Sequence, residues 1–214
     1  MDKPISGIHK RYAIAGFRSA QAEPDPFRQF DLWFDEAVKA GFAEPGAMAL
    51  ATVDAEGRPS ARMVLLKGFD ARGFVFYTNY DSRKARALAQ DPHVSACFWW
   101  DQLERQVRIE GVVEKLPAEE SDAYFETRPR AAQLAAWVSK QSEVIESRTA
   151  LERRLAEVQA EFRDRPVLRP PNWGGYRIRP TAIEFWQGRE GRLHDRLRYH
   201  LQPDDTWTLE RLSP

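Results

Sequence analysis

The sequence predicts an α+β chain with a mostly antiparallel sheet that curls into a barrel. Two observations carry that expectation. The hydrophobic period changes from three-to-four residues to two at Ala47, and strand-like segments then lie on both sides of a helical middle. Turn residues separate closely spaced strands on either side, a pattern suited to antiparallel pairing.

Along the chain, residues 1–25 carry scattered Pro, Gly and charge with little periodicity, and read as a mobile or docking arm before a single domain over 26–214. Asp25-Pro26 opens an amphipathic helix, with Phe27, Phe30, Phe34 and Val38 on one face and an end near Gly41. AMALATVD, PSARMVLLKG and FVFYTN follow as a meander, with turns at Glu56-Gly57 and Asp70–Gly73. A short helix over Ser82–Gln90 precedes the strands HVSACFWW and RQVRIEGVVEKL. The helical middle comprises PAEESDAYFETR, PRAAQLAAWV and a run whose Leu151, Leu155, Val158 and Phe162 share a face, with Thr149 and Glu152 at capping-box spacing and Pro166 beyond its end. After the rigid loop RPPNWGGY, the segments GYRIRP, AIEFWQG, RLRYHL and WTLERL return to strand.

Composition narrows the function. The 214 residues are 43% hydrophobic and 30% charged, with 7 Trp, 6 Tyr and 12 Phe, which excludes disordered and collagen-like chains. Lys+Arg 32 balances Asp+Glu 32, so the molecule as a whole has no field to hold nucleic acid or an anionic membrane, and any anion site is local. One cysteine, Cys97, forms no internal disulfide or thiolate cluster and sits in an apolar strand as a structural thiol. With no signal-peptide stretch and no apolar run near ~20 residues, the expectation is a soluble cytoplasmic protein. The four His are scattered without H-E-x-x-H, and no Rossmann glycine fingerprint, P-loop or G-x-S-x-G elbow occurs. No metal site is expected.

Local patterns point to an anion. Ser82 has the character of an N-cap, followed by Arg83 and Lys84 in the first turn, the end of a helix that disfavours cations unless an anion joins them. Two solvated basic side chains explain that pattern equally well. Arg62 and Lys67 bracket the apolar strand Arg62-Met63-Val64-Leu65-Leu66-Lys67, but stand five apart, on opposite faces, so one shared ligand requires a bulge, a twist or contact with different parts of one molecule. Tyr124 and Arg128, four apart on a helix, offer a hydroxyl and a guanidinium to one side; an ordinary surface contact is the plainer reading. Arg192, His194 and Arg196 share a face if extended, and such a row of cations and donors needs neutralising.

The combination RMVLLK, GFVFYTN, SRK, ERQVRIEG, YFETRPR, WVSKQS, NWGGYR, IEFWQG and RLHDRLRY resembles the pyridoxamine 5′-phosphate oxidase family in order and spacing, from about Phe27 to the C-terminal RLSP. That resemblance implies an FMN-binding split barrel, a homodimer with FMN at the subunit interface. It also implies oxidation of pyridoxine 5′-phosphate or pyridoxamine 5′-phosphate by oxygen to pyridoxal 5′-phosphate. By similarity, FMN is held by Arg62, Met63, Val64, Leu65, Leu66, Lys67, Tyr77, Thr78, Arg83, Lys84, Gln106, Gln141, Ser142, Trp186 and Arg196, with Arg62, Arg83 and Lys84 at its phosphate. The resemblance gives substrate to Lys67, Tyr124, Arg128, Arg192 and His194, with Arg192 and His194 at the reacting group and Tyr12 on a covering arm.

Two departures stand out: Ala132 replaces the family's usual serine four residues after Arg128, and His9 replaces an arginine three residues before Tyr12, where Arg11 is a substitute. Two other functions share the pattern: a split-barrel flavin-dependent reductase with another substrate, and a non-catalytic pyridoxal phosphate or flavin carrier.

Overall fold

The computed structural model describes residues 16–214; the expectations for His9, Arg11 and Tyr12 lie outside them. The described chain is α+β, with helices α1 (Pro26–Lys39), α2 (Arg83–Gln90), α3 (Ala118–Thr127), α4 (Arg130–Val138) and α5 (Arg148–Glu161). Its strands are β1 (Ala47–Val53), β2 (Pro59–Leu65), β3 (Gly68–Asp70), β4 (Gly73–Asn79), β5 (His93–Trp100), β6 (Arg105–Lys115), β7 (Trp173–Gln187), β8 (Asp195–Leu201) and β9 (Trp207–Leu212). They join in one sheet of order β2-β1-β5-β6-β7-β4-β3, with β8 pairing β7 and β9. The β3–β4, β4–β7, β7–β8 and β8–β9 pairings are antiparallel.

The chain divides into two compact units. The first holds the described residues up to Met48, Ala96–Glu110 and Thr181–Pro214. Its aromatic core places Phe30 5.3 Å from Phe98, Trp33 5.2 Å from Phe185 and Phe185 5.6 Å from Tyr199, measured between ring centroids. Asp25 caps α1 by accepting from the Phe27 amide at 2.9 Å, and Pro26 fits the first turn, where no amide hydrogen is needed. The buried face of α1 carries Phe27, Phe30, Trp33 and Ala37, whereas Val38 is exposed. A 100° step per residue brings Trp33 and Ala37, rather than Val38, into line with Phe30.

The second unit holds Ala49–Ser95 and Gly111–Pro180. Phe125, Leu134, Val158, Phe162, Val167 and Trp173 form its helical core, against which Tyr77, Tyr124, Trp137 and Leu155 pack. Ser147, not Thr149, caps α5, accepting from the Ala150 amide at 3.1 Å; Thr149 lies inside the helix, and the expected box with Glu152 does not form. GYRIRP and AIEFWQG are parts of one fifteen-residue strand, β7, since Pro180 and Thr181 continue the extended backbone instead of turning. Glycine is required where β7 meets β4: a Cβ at Gly175 would collide with the Leu116 side chain and come 2.8 Å from the Tyr77 ring. The second glycine of NWGGY thus lets Tyr77 lie over the strand.

No helix among the described residues is long and apolar enough to cross a membrane, and no group of three His, Cys, Asp or Glu there is placed to hold a metal.

Candidate active site

In the second unit, the edge strand β2, strand β4, the start of α2, the α3–α4 region and the loop after α4 surround a cavity of about 720 Å³. Ser60 through Leu65 line it in succession, as an edge strand can when both its face and its unpaired rim meet the same space. Lys67 lines it too. The chain leaves β2 after Leu65, and the Lys67 amide donates to the Val75 carbonyl at 2.8 Å, so the opposite-face conflict expected of a continuous strand does not arise. Leu66 is buried and is not among the lining residues.

One end of the cavity gathers cations. Arg62 donates to the Leu50 carbonyl at 3.0 Å, Thr52 Oγ1 at 2.9 Å and Ser60 Oγ at 2.6 Å, which fixes its guanidinium. Ser82 accepts from the Ala85 amide at 3.3 Å and starts α2, bringing Arg83 and Lys84 to the cavity. Lys84 is buried and donates to Gln141 Oε1 at 2.8 Å and Thr78 Oγ1 at 3.0 Å. The Thr78 hydroxyl also donates to Gln141 Oε1 at 3.0 Å, and Ser142 Oγ accepts from the Arg83 amide at 3.2 Å.

Among the described residues, no carboxylate lines this space. Burial, followed by repulsion from Arg62, pushes the Lys84 ammonium down to about 8, and burial with repulsion from Arg83 lowers Arg62. Three cations facing one another without a counter-charge among the described residues form a receptor for an anion.

The aromatic wall holds a second donor group. Tyr77 and Tyr124 stack at 3.9 Å and 13°, and Trp173 lies 5.4 Å from Tyr77, nearly parallel. Burial pushes the Tyr77 phenol up to about 12 and raises Tyr124, so both remain protonated donors near neutrality. Arg128 follows α3 in extended conformation, and its Nη1 is buried without a hydrogen-bond partner among the described residues. Sequence reasoning did not single out Trp173, Asn79 or Ser139 as lining residues; Trp173 had a signal in NWGGY. Asn79 donates to the Ser139 carbonyl at 3.2 Å and ties β4 to the loop that carries Gln141 and Ser142.

The other expected site residues, Gln106, Trp186, Arg192, His194 and Arg196, belong to the first unit and do not line this cavity. The expected extended row Arg192-His194-Arg196 is not formed. A 3-10 turn spans Glu190–Arg192, Gly191 and Arg192 have φ of 65° and 63°, and β8 begins only at Asp195. Arg196 has its own counter-charge: Glu184 accepts from it at 2.8 and 3.1 Å. His194 Nδ1 accepts from the Arg189 amide at 3.0 Å, and its ring lies 4.6 Å from Trp186. Burial, then the neighbouring Arg192 charge, lowers the His194 imidazolium. Gln106 is half-buried on β6.

Residues 34–162 match the family described as pyridoxamine 5′-phosphate oxidase, and residues 173–214 match the pyridoxine 5′-phosphate oxidase C-terminal dimerisation region. The pyridoxine/pyridoxamine 5′-phosphate oxidase of Gloeothece citriformis is 58% identical over 214 residues, all of both chains. That of Rubrobacter xylanophilus is 58% identical over 212 residues, 99% of this chain and 97% of its own. Among solved structures, PhzG from Burkholderia lata 383, in complex with tetrahydrophenazine-1-carboxylic acid, superposes with a TM-score of 0.89 at 31% identity, covering 96% of this chain and 100% of its own. An FMN-binding, pyridoxamine 5′-phosphate oxidase-related protein from Nostoc punctiforme shares the fold, with a TM-score of 0.72 at 21% identity over 89% of this chain and 98% of its own. The antiparallel split barrel with peripheral helices is thus the fold of this chain, and the chain belongs to the pyridoxamine 5′-phosphate oxidase family.

Proposed function

We propose that this protein is an FMN-dependent oxidase that converts pyridoxine 5′-phosphate or pyridoxamine 5′-phosphate to pyridoxal 5′-phosphate. Oxygen is the acceptor; hydrogen peroxide is released, with ammonia as well from the amine. The observation that carries this reading is a single cavity holding two sets of anion-ready donors, Arg62, Arg83 and Lys84 in one and Tyr124 and Arg128 in the other, with no carboxylate among the described residues of its walls. The full-length relatives named for the same activity support it.

The chemistry of the donors fits FMN. Its dianionic phosphate suits the uncompensated Arg62, Arg83 and Lys84, with the Thr78 and Ser142 hydroxyls and Gln141 beside them. Residues Met63–Lys67 and Tyr77 would hold the rest of the cofactor. When bound, FMN supplies hydride acceptance from the substrate carbon and electron transfer to oxygen. Arg128, Tyr124 and Lys67 hold the substrate phosphate and so fix the position of the ring.

The active form is a homodimer with the cofactor at the interface. Gln106, Trp186 and Arg196 of one protomer then face the flavin held by its partner, and Arg192 and His194 face the reacting group of the substrate. The match of residues 173–214 to a dimerisation region supports this arrangement, as does the absence of these five from the walls of their own chain's described cavity. Arg192 and His194 orient the alcohol or amine and stabilise charge changing there. A cytoplasmic location is part of the same reading; the single half-buried Cys97, with no disulfide partner, supports a reducing compartment.

An absorbance experiment tests the whole reading. Purified protein with FMN is expected to show yellow flavin bands that bleach on anaerobic addition of pyridoxine 5′-phosphate and return with air, leaving aldehyde and peroxide. Protein that stays colourless with added FMN overturns the cofactor assignment, and flavin that does not bleach overturns the substrate.

A further inference from the structure

Trp173, at the start of β7, has no role in the reading above beyond lining the cavity. Its ring is buried, and its orientation is fixed from several sides. The backbone amide donates to the Pro170 carbonyl at 3.1 Å, and the backbone carbonyl accepts from Arg169 Nη1 at 2.7 Å. Arg169 is held in turn by Asp122 of α3 at 2.6 Å. Phe125 packs edge-on against the indole at 5.1 Å, and Tyr77 and Tyr124 lie parallel to it within 10°.

On this fixed ring rests the Arg128 guanidinium, its carbon 4.5 Å from the indole centroid. Arg128 is the C-cap of α3, its amide donating to the Phe125 carbonyl at 3.2 Å, and its buried Nη1 has no hydrogen-bond partner among the described residues. An arginine in such a place would ordinarily turn toward a carbonyl or carboxylate, since leaving a buried donor unpaired is unfavourable. The indole face offers a cationic plane an attractive seat without consuming any N–H.

We propose that Trp173 is a positioning residue for the substrate phosphate: it seats the Arg128 guanidinium over its ring and keeps Nη1 available to a phosphate oxygen. This rests on the oxidase reading for the identity of the phosphate's owner. The seat itself is a property of the two side chains. Trp173 thereby sets the preference for phosphorylated over unphosphorylated substrate without touching the reacting carbon.

The test uses Trp173→Leu and Trp173→Phe in the FMN-loaded protein, with KM and kcat measured on pyridoxine 5′-phosphate and on pyridoxine, which lacks the phosphate. Losing the cation–π seat is expected to raise KM for the phosphorylated substrate about 3- to 30-fold in Trp173→Leu, with Trp173→Phe between it and the parent. KM for pyridoxine should move by less than about twofold, and flavin content should be retained, because the seat acts only through the phosphate. Combining Trp173→Leu with Arg128→Met should add little beyond Arg128→Met alone.

Calorimetric binding of inorganic phosphate to the FMN-loaded protein gives a readout independent of turnover, expected to weaken in the same order. If the parent does not oxidise pyridoxine 5′-phosphate, the oxidase reading fails, and the phosphate titration still decides the role of Trp173. Unchanged phosphate affinity in Trp173→Phe and Trp173→Leu overturns the proposal. Equal losses on both substrates together with lost flavin also overturn it, since they show a purely structural role. Should Trp173→Leu not fold, Trp173→Phe, which keeps an aromatic ring in the core, carries the comparison.

Discussion

Lys84 Nζ lies 2.8 Å from Gln141 Oε1, a buried ammonium whose partners are a neutral amide and hydroxyls rather than a carboxylate. The charge is therefore solvated by dipoles but not neutralised. That leaves an anion bound beside it to supply the missing half of the pair.

This gives a pH dependence with a definite sign. Burial, then repulsion from Arg62, pushes the Lys84 ammonium from its ordinary 10.5 down to about 8; a bound dianion reverses this and raises it. Binding therefore takes up a proton at and above pH 8, and affinity for FMN falls as pH rises beyond that value. FMN titrations from pH 7 to 10 by flavin fluorescence should show this loss. Lys84→Met should bind FMN more weakly at pH 7 and lose the inflection; an inflection that persists would exclude Lys84 as its source. Without ligand, the depressed group makes the folded state relatively more stable as pH rises between about 8 and 10.5, the opposite trend.

Ala132 occupies the first turn of α4, four residues beyond Arg128, where the resemblance expects a serine. Ala132 is not among the residues lining the cavity, but the resemblance puts a phosphate donor there, and a serine hydroxyl would add one charge-assisted hydrogen bond worth roughly 1.5–3 kcal/mol. Ala132→Ser is expected to lower KM for pyridoxine 5′-phosphate by about tenfold or more, with little effect on kcat. Steady-state kinetics decide it, and an unchanged KM would show that another donor already fills the place.

For His194, the Arg189 amide donating to Nδ1 requires the neutral ring to carry its proton on Nε2. With the imidazolium lowered by burial and Arg192, that neutral form prevails at pH 7. Nitrogen-15 NMR of labelled imidazole should show a protonated Nε2 and an unprotonated Nδ1 for this residue. The ring then offers the substrate a donor at Nε2 and cannot accept a proton there. If Arg192 stabilises the changing charge, Arg192→Lys should lower kcat, because an ammonium does not reproduce the planar fork of a guanidinium.

Gly175 tests the architecture behind the cavity. Gly175→Ala would push its methyl against Leu116 and Tyr77. Overpacking of this kind costs about 1–3 kcal/mol, so the thermal midpoint should fall and flavin affinity with it, as Tyr77 leaves its place against Tyr124. A variant of unchanged melting temperature and flavin content would show that the strand pair can open at no cost.

Much of this was legible in the sequence because it is local. The change of period at Ala47, the Ser82 cap with two cations behind it and the turn glycines each depend on a few neighbouring residues, and backbone geometry alone gives them their meaning. Tertiary packing decided the rest. Spacing put Arg62 and Lys67 on opposite faces of a strand, but the chain leaves β2 after Leu65 and brings both to one cavity. An extended Arg192-His194-Arg196 row was equally reasonable by spacing, yet Gly191 and Arg192 turn, and Glu184 neutralises Arg196 from twelve residues away. Trp173 under Arg128 and Gln141 against Lys84 join residues 45 and 57 positions apart. No local period encodes such pairs, because the charge, burial and ring contacts that define them exist only after the sheet and the α3–α5 layer have folded together.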